Sequence, residues 1–350
     1  MITTNVLERV INEFNIDASL LKFSPITHGY INDTYLASLK DEPKFIVQRL
    51  NHLVFENYET LQRNIDLATS KLIHKDYAQI SFLKTRDNAS LLQLDGTIWR
   101  VMNYIPNSRT FNTTSDATIA FEAGKIVGLF HSLLTDEDLA LYDDVIPQFH
   151  DLPMRIGQFN QAFKIADNID IATAQSEIDF ANAVWPIFKE IYSVNIPVRI
   201  CHNDTKLNNI LFDTNKKALC LIDLDTIMKG WFMFDFGDAI RTIVNAASED
   251  EKNLDKIQFD LSQFRAFVSG LKASELKLSE LELKYLAHGA ALMPFIHGLR
   301  ALTDYLNKNK YYKVSYPEQN LDRAKSLFRS SQLALDHLED MQTIIQDIYS

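Results

Sequence analysis

Apolar residues in the first hundred positions follow two different spacings. In residues 5–15 and 57–75 they recur every three or four positions, which is the period of an amphipathic helix. Short runs rich in β-branched and aromatic residues lie between and after these segments. They predict strands at residues 34–37, 44–49, 79–84, 90–94 and 97–104. We therefore predict a small β-sheet with a helix packed on it.

The pattern becomes mainly helical in the second part of the chain. Helical spacing recurs in residues 117–134, 176–193 and most of 260–350. One short hairpin interrupts it, with strands at residues 210–212 and 218–222. The sequence therefore predicts an α+β, bilobal fold. A small β-sheet N-lobe would occupy residues 1–104, and a larger, mainly α-helical C-lobe would occupy residues 105–350, with a hinge near 100–106.

The charge balance narrows the possible partners of this 350-residue chain. With 35 basic and 46 acidic side chains its formal net charge is −11, so it lacks the positive surface that binders of nucleic acid or anionic membranes need. No signal-peptide pattern and no apolar run of membrane-spanning length is present, so a cytoplasmic location is expected. Cys201 and Cys220 have no metal-binding or disulfide spacing and are expected to be reduced. These features leave the oligomeric state open.

One polar segment, residues 202–209, has the residue types of a phosphoryl-transfer site. Phosphoryl transfer needs a carboxylate for the acceptor hydroxyl, oxygen ligands for Mg²⁺ and positive groups near the phosphates. His202, Asp204 and Asn209 stand at the spacing of a kinase catalytic loop. Asp204 is the predicted base and Asn209 a predicted Mg²⁺ ligand. Lys206 could reach the γ-phosphate of ATP.

The hairpin that follows this segment supplies a second predicted metal ligand. Because a hairpin brings its two ends together, Asn209 and Asp223 can share one ion, and hard oxygen ligands suit Mg²⁺. Asp204 alone would more often be a loop or capping carboxylate, and Asp223 and Asp225 a strand end that meets solvent. The combined spacing favours the catalytic interpretation.

Three motifs resemble those of a known group of enzymes. The run Cys201–Leu211, with Leu221–Thr226 and Phe234–Asp238, resembles the aminoglycoside phosphotransferase/choline kinase superfamily, which has a protein-kinase-like fold. HNDTKLNNIL, IDLDTIM and FDFGDAIR, together with GYINDTYL near the start and FHDLPMR at 149–155, are more closely similar to the N-acetylhexosamine 1-kinases. The resemblance extends over essentially the whole chain.

The resemblance implies an activity and a set of site residues. That family phosphorylates the anomeric hydroxyl of N-acetylglucosamine and N-acetylgalactosamine with ATP and Mg²⁺, so the expected partners are ATP and a small sugar. It implies Asp204 as base, Asn209 and Asp223 as metal ligands, and Arg300, Tyr311 and Asp225 at the sugar with Asp204. The alternatives are a different acceptor, such as choline, homoserine, an aminoglycoside or another sugar, and a non-catalytic nucleotide-binding protein. A protein kinase is disfavoured because Asn203 replaces the catalytic-loop arginine.

The nucleotide side has weaker sequence support. No P-loop motif occurs, and His28 and Gly29 are the candidates for a phosphate-covering turn, for which a plain turn is an equal alternative. Gln48 stands where protein kinases have the β3 lysine, and it can donate a hydrogen bond but brings no charge. Either metal ions and Lys206 supply the missing charge, or another cation enters the site.

Three further predictions concern single residues around this site. Adenine is expected against the hinge at Met102 and Tyr104, bonded to backbone groups, with an ordinary strand-to-helix crossing as the alternative. Arg300 and Asp304 are four residues apart on a predicted helix, and spacing alone favours an ion pair between them. Asp235 is expected to brace the catalytic loop through hydrogen bonds.

Overall fold

The N-terminal part is an antiparallel sheet with a helix on one face. The computed structural model describes residues 2–26, 31–51, 55 and 57–350. The first elements are helix α1 (Thr4–Glu13) and strands β1 (Leu21–Ile26), β2 (Asp33–Leu39) and β3 (Glu42–Leu50). They are followed by helix α2 (Tyr58–Lys71) and strands β4 (Leu92–Leu94) and β5 (Thr97–Asn103). The strand order in the sheet is β1-β2-β3-β5-β4.

The two faces of this sheet have different side chains. Leu7, Val10 and Ile11 of α1 pack in one apolar cluster with Val47 of β3 and Val101 of β5. Because successive strand residues point to opposite faces, the next residues along β3 and β5 point away from α1. On that face Gln48 of β3 lies opposite Arg100 of β5, and the apolar Ile46 lies opposite Met102.

Helix α2 belongs to a different core. Leu61, Ile65 and Ala68 are fully buried and lie in the same apolar cluster as the helices of the C-terminal part. The apolar stripe of α2 therefore packs on the C-terminal part and ties the sheet to it.

The C-terminal part is a set of helices around a long central one. Its helices are α3 (Ala117–Leu133), α4 (Leu152–Ile165), α5 (Asn168–Thr173), α6 (Gln175–Lys189), α7 (Phe232–Ile243), α8 (Leu261–Ala273), α9 (Glu280–Leu306), α10 (Gln319–Asp336) and α11 (Leu338–Tyr349). Helix α9 spans 27 residues and begins with a capping box between Ser279 and Glu282. It packs against α4, α7 and α10.

Four short strands lie between α6 and α7 and form two antiparallel pairs. They are β6 (Val198–Cys201), β7 (Ile210–Phe212), β8 (Ala218–Leu221) and β9 (Met228–Trp231). Strand β7 pairs with β8, as the predicted hairpin requires, and β6 pairs with β9. The loops after β6 and after β8 therefore lie side by side.

The predicted fold class is confirmed, and individual elements differ from the prediction. The predicted strand at 79–84 is wrong: these residues make a single bridge, Phe82 to Met102. The reason is that the Ser81 amide donates to the Asn103 side chain instead of to a backbone carbonyl. Strand β1, which contains Pro25, was not predicted, and neither was the pair β6 and β9. The boundary between residues 104 and 105 stays a prediction.

Among the described residues, no helix combines the length and the apolar character that crossing a membrane requires.

Candidate active site

Asp235 fixes the start of the segment 202–209, which we call the catalytic loop. The loop leaves β6, while Asp235 lies in the first turn of α7 and is completely buried. Its Oδ2 accepts the His202 amide at 2.7 Å, and its Oδ1 accepts the Asn203 amide at 2.6 Å. The His131 ring lies 2.8 Å from Oδ2 through Nε2. The prediction that Asp235 braces this loop is confirmed.

Asn203 turns the backbone of the catalytic loop. Its φ of 62° lies in the left-handed region, which asparagine tolerates better than most residues. Its side-chain amide donates to the carbonyl of Thr226 at 3.1 Å. Gly230 of β9 makes room for this side chain, because a Cβ there would lie 2.9 Å from Asn203 Oδ1. The same amide lies 3.4 Å from the Met228 carbonyl oxygen, so the loop is held by β9 and by the segment that leads into it.

Asp204 is oriented by two donors from its own loop. Lys206 Nζ donates to Asp204 Oδ2 at 2.8 Å, and Asn209 Nδ2 donates to the same oxygen at 2.8 Å. Among the described residues, nothing hydrogen-bonds to Asp204 Oδ1. Burial lowers the pKa of Lys206, but the carboxylates Asp204, Asp223 and Asp238 outweigh it and raise that pKa, so the ammonium stays charged. The arrangement leaves one oxygen of Asp204 available to a substrate.

The hairpin brings Asp223 beside Asn209, as predicted. The Ile222 amide donates to the Asn209 carbonyl at 2.8 Å, and Asp223 follows in a left-handed conformation with φ 61°. Burial and, to a smaller extent, the negative charges of Asp225 and Asp204 raise the pKa of Asp223 to about 6. The amide nitrogen of Asn209 is turned to Asp204, so its oxygen is free to bind a cation. Crowded carboxylates and a free amide oxygen form a donor set that suits a hard divalent cation.

Asp225 connects the region of the candidate metal ligands to the N-terminal sheet through hydrogen bonds. Arg100 of β5 donates from Nη2 to Asp225 Oδ1 at 2.5 Å, and Asn32 Nδ2 donates to Oδ2 at 2.7 Å. Both side chains of the Arg100–Asp225 pair are almost fully buried. Arg100 also donates from Nε and Nη2 to Gln48 Oε1, at 2.9 and 2.7 Å. A cation therefore does enter the site beside Gln48, which was one of the two predicted alternatives. The contact of Asp225 with an acceptor stays a prediction.

Two backbone amides of the hinge already donate hydrogen bonds within the N-terminal part. The amide of Asn103 donates to Ser81 O at 3.1 Å, and the amide of Tyr104 donates to Lys44 O at 2.9 Å. Any backbone contact of Tyr104 with a base must therefore use its carbonyl oxygen. Met102 is half-buried at the end of β5, opposite Ile46.

Arg300, near the end of α9, lies among aromatic rings. Its guanidinium carbon is 5.2 Å from the ring centre of Phe149, 6.0 Å from that of Tyr311 and 5.9 Å from that of Tyr312. Tyr311 is 60% exposed, so its ring can meet a ligand. This cluster, Arg300 with Phe149, Tyr311 and Tyr312, is named the aromatic–arginine cluster.

The ion pair that spacing alone favours between Arg300 and Asp304 is not formed, and the contact of Arg300 with a sugar, which the resemblance implies, stays a prediction. Asp304 instead accepts the backbone amides of Tyr311 at 2.8 Å and Tyr312 at 2.9 Å, and the Asn320 side chain at 2.9 Å. The charge of Asp304 is therefore used to fold the chain after α9 back over Arg300. Asp304 therefore does not neutralise Arg300, and the guanidinium can interact with other groups.

His150 connects the aromatic–arginine cluster to the catalytic loop. Its ring lies 4.3 Å from that of Phe149, and its Nε2 lies 3.1 Å from the carbonyl oxygen of Asn203. Burial and, to a smaller extent, the neighbouring His297 lower the pKa of His150 to about 3, so the ring is neutral. Beside it, Asp238 is paired with Arg241 at 2.6 Å and approached by His297 at 3.2 Å.

The structure thus brings the predicted Asp204, Lys206, Asn209 and Asp223 into one site. His28 and Gly29 lie outside the described residues. Sequence reasoning missed Arg100, Asn32 and the contact of His150. Arg100 had a detectable signal, since it is a lone charge within the apolar run Ile98–Met102.

One family model and several solved structures are similar to this chain. The model of the phosphotransferase enzyme family (APH) matches residues 22–267. A microcompartment-associated aminopropanol kinase superposes with a TM-score of 0.66 at 14% identity, over 97% of this chain and 99% of that one. Spectinomycin phosphotransferase bound to ADP and spectinomycin gives 0.59 at 13% identity, over 96% and 98%. A choline/ethanolamine kinase family protein from Mesorhizobium loti gives 0.57 at 12% identity, over 99% and 100%.

At these identities the solved structures establish the fold, and the family model establishes the family. The match covers well over half of the chain and includes the catalytic loop, Asp223 and Asp235. The chain therefore belongs to the phosphotransferase enzyme family and has the fold of aminoglycoside and choline kinases.

Proposed function

We propose that this protein transfers the γ-phosphate of ATP to the anomeric hydroxyl of an N-acetylhexosamine, with Mg²⁺ as the metal. The observation that carries the transfer step is the state of Asp204, whose Oδ2 is fixed by Lys206 and Asn209 while Oδ1 has no hydrogen-bond partner in the part of the chain that the structure describes. The spectinomycin phosphotransferase that shares the fold is complexed with ADP, which supports a nucleotide donor here.

The reaction assigns a role to each residue of the catalytic loop. The sugar O1 attacks the γ-phosphorus, the bond from that phosphorus to the bridging oxygen breaks, and ADP leaves. Asp204 accepts the proton of the attacking hydroxyl at Oδ1. Lys206 lies beside Asp204 and faces the negative charge that moves between donor and acceptor. Asn209 and Asp223 would hold Mg²⁺, which when bound neutralises charge on the β- and γ-phosphate oxygens.

The acceptor is inferred from the charges near the aromatic–arginine cluster. Arg300 is a cation over the Phe149 ring, and the neighbouring acids already have partners. Asp304 accepts backbone amides, Asp238 pairs with Arg241, and Glu249 pairs with Arg241 and Arg323. A cationic acceptor such as choline or an aminoglycoside would meet the like charge of Arg300, and the three acids named here are already paired. A neutral sugar can accept hydrogen bonds from Arg300 and pack its apolar face on Tyr311.

An acceptor panel tests this function. Release of ADP is measured with ATP and Mg²⁺ in the presence of N-acetylglucosamine, N-acetylgalactosamine, glucose, choline, homoserine or kanamycin. We expect both N-acetylhexosamines to stimulate release and the amines to leave it unchanged. Stimulation by choline, homoserine or kanamycin without the hexosamines would refute the assigned acceptor, and no stimulation by any of them would favour a non-catalytic nucleotide-binding protein.

Two variants separate the transfer step from binding in the same assay. Asp204→Asn should lose most of the turnover, by about 100-fold or more, and still bind ADP, because general base catalysis contributes about 10²–10⁴. Asp213→Asn is the matched control, since Asp213 lies in the turn of the hairpin and only caps backbone amides there. Full activity of Asp204→Asn would overturn the role of Asp204.

A further inference from the structure

Gln48 occupies the position where protein kinases use a lysine, and its surroundings are built differently. In protein kinases the β3 lysine is held toward the phosphates by a glutamate of the neighbouring helix. Here Gln48 Oε1 accepts two hydrogen bonds from Arg100, at 2.9 Å from Nε and 2.7 Å from Nη2. Arg100 is the direct cross-strand neighbour of Gln48 in the β3–β5 ladder. The residue that holds the β3 side chain is therefore a cation on the adjacent strand.

This contact determines which end of the amide faces outward. An arginine side chain has donors and no acceptor, so the atom of Gln48 that it contacts twice must be the oxygen. The amide nitrogen of Gln48 then points away from Arg100. It lies 3.2 Å from Thr34 Oγ1 on β2, which is a long hydrogen bond. Arg100 therefore turns the amide nitrogen of Gln48 away from itself, on the face of the sheet opposite α1, where Thr34 is its one partner among the described residues.

Arg100 is itself held in place by Asp225, which is close in sequence to the candidate metal ligand Asp223. Its side chain is 1% exposed, and its Nη2 contacts Asp225 Oδ1 at 2.5 Å. The ring of Phe82 lies 5.3 Å from its guanidinium carbon, and Asn32 holds the other oxygen of Asp225 at 2.7 Å. Nη1 is buried without a hydrogen-bond partner among the described residues. Asp225 lies two residues after Asp223, so the position of Gln48 is linked to that of the candidate metal ligand.

We propose that Arg100, anchored by Asp225, is a positioning residue that turns the amide N–H groups of Gln48 toward the nucleotide phosphates. The pair Gln48–Arg100 thereby replaces the lysine–glutamate pair of protein kinases. Gln48 supplies the hydrogen bond, and the buried charge of Arg100 behind it strengthens that bond to an anion. This inference rests on the proposed use of ATP and is independent of the acceptor.

Replacing Gln48 by glutamate tests the proposal without emptying the site. Gln48→Glu has the same shape and keeps the contact with Arg100, so the fold should be retained, but it replaces the outward donor by a carboxylate oxygen. We expect the affinity for ADP with Mg²⁺, measured by calorimetry, to fall by about 10- to 100-fold, the range for a hydrogen bond to a charged group. Affinity for adenosine, which has no phosphate, should change less than about twofold. Gln93→Glu, at an exposed position of β4, is the matched control and should change neither affinity.

A single and a double substitution test the role of Arg100. Arg100→Gln should weaken ADP binding in the same selective way, and Gln48→Lys in that background should restore it to within about threefold, because the cation then sits on β3. A role of Arg100 in packing alone predicts no such rescue. If Arg100→Gln does not fold, the Gln48→Glu result decides.

Two outcomes overturn the inference. One is an equal loss of ADP and adenosine affinity in Gln48→Glu, and the other is no loss of either. A selective loss of ADP binding in a protein that phosphorylates no N-acetylhexosamine would leave the inference standing and refute only the proposed acceptor.

Discussion

Replacing Asp235 by asparagine should loosen the catalytic loop from a distance. Asp235 is completely buried and receives three hydrogen bonds, two on Oδ2 and one on Oδ1. Asparagine has the same shape but retains a single acceptor oxygen. If that oxygen serves His202 and His131, the new NH₂ group faces the Asn203 amide, and two donors then oppose each other.

The size of the effect follows from that lost bond. A hydrogen bond to a charged group contributes about 1.5–3 kcal/mol, and a buried donor left without a partner costs about 1–3 kcal/mol. We therefore expect Asp235→Asn to lower the free energy of unfolding by about 2–4 kcal/mol. Because Asp204 follows Asn203 directly, we also expect turnover to fall by about 100-fold, the cost of a displacement of about 1 Å in a catalytic group.

Urea unfolding and initial rates measure the two effects, and Asp213→Asn is the control. Asp213 also accepts two backbone amides, from Asn215 at 2.7 Å and Lys217 at 2.9 Å, but in an exposed turn. Its replacement should cost less than about 1 kcal/mol and leave turnover unchanged. The reasoning is refuted if Asp235→Asn costs no more than Asp213→Asn and keeps its turnover.

Three further predictions concern packing, pH and the acceptor. Gly289→Ala should destabilise the protein in thermal unfolding by about 1–3 kcal/mol or more, because a Cβ there would lie 2.3 Å from the Met233 carbonyl oxygen. Gly157→Ala is the control and should be neutral or stabilising, because a Cβ at Gly157 would have no neighbouring atom within 4 Å. Burial lowers the pKa of His150 to about 3 and that of His297 to about 4, so on acidification the unfolded chain binds protons at these histidines before the folded chain does. The free energy of unfolding should therefore fall as the pH drops below about 6.5, by about 2 kcal/mol for each histidine at pH 5. A urea midpoint that stays flat from pH 7 to 5 would contradict this. Arg300→Met should raise the KM for the acceptor by about tenfold and leave the KM for ATP within about twofold; equal changes in both would contradict a place at the acceptor.

The catalytic loop could be predicted because its determinants are close together in sequence. His202, Asp204 and Asn209 lie within one loop, and a five-residue turn in the hairpin brings Asp223 back to them. Local spacing and hairpin geometry are therefore sufficient for this part. The α+β class could be predicted for the same reason, since long helices such as α9 and strands such as β3 carry their own periodicity.

The remaining features depend on contacts between distant segments. Arg100 is 52 residues from Gln48 and 125 from Asp225, so no local pattern shows that it links them. Arg300 and Asp304 show the opposite error, because their helical spacing favours an ion pair that is not formed. The Asp304 carboxylate instead accepts the backbone amides of Tyr311 and Tyr312, which follow α9. Strands β6 and β9 have four residues each, which is too short for a period to be recognised.

The position of the transferred phosphate tests the central claim most directly. The protein is incubated with ATP, Mg²⁺ and N-acetylglucosamine, and the product is examined by ³¹P and ¹H NMR, with Asp204→Asn in parallel. The proposed function predicts a sugar phosphate in which phosphorus couples to the anomeric proton, and about 100-fold less of it with Asp204→Asn. Phosphorus coupled to the exocyclic C6 protons or to a ring proton other than the anomeric one, or equal product from the variant, would contradict it.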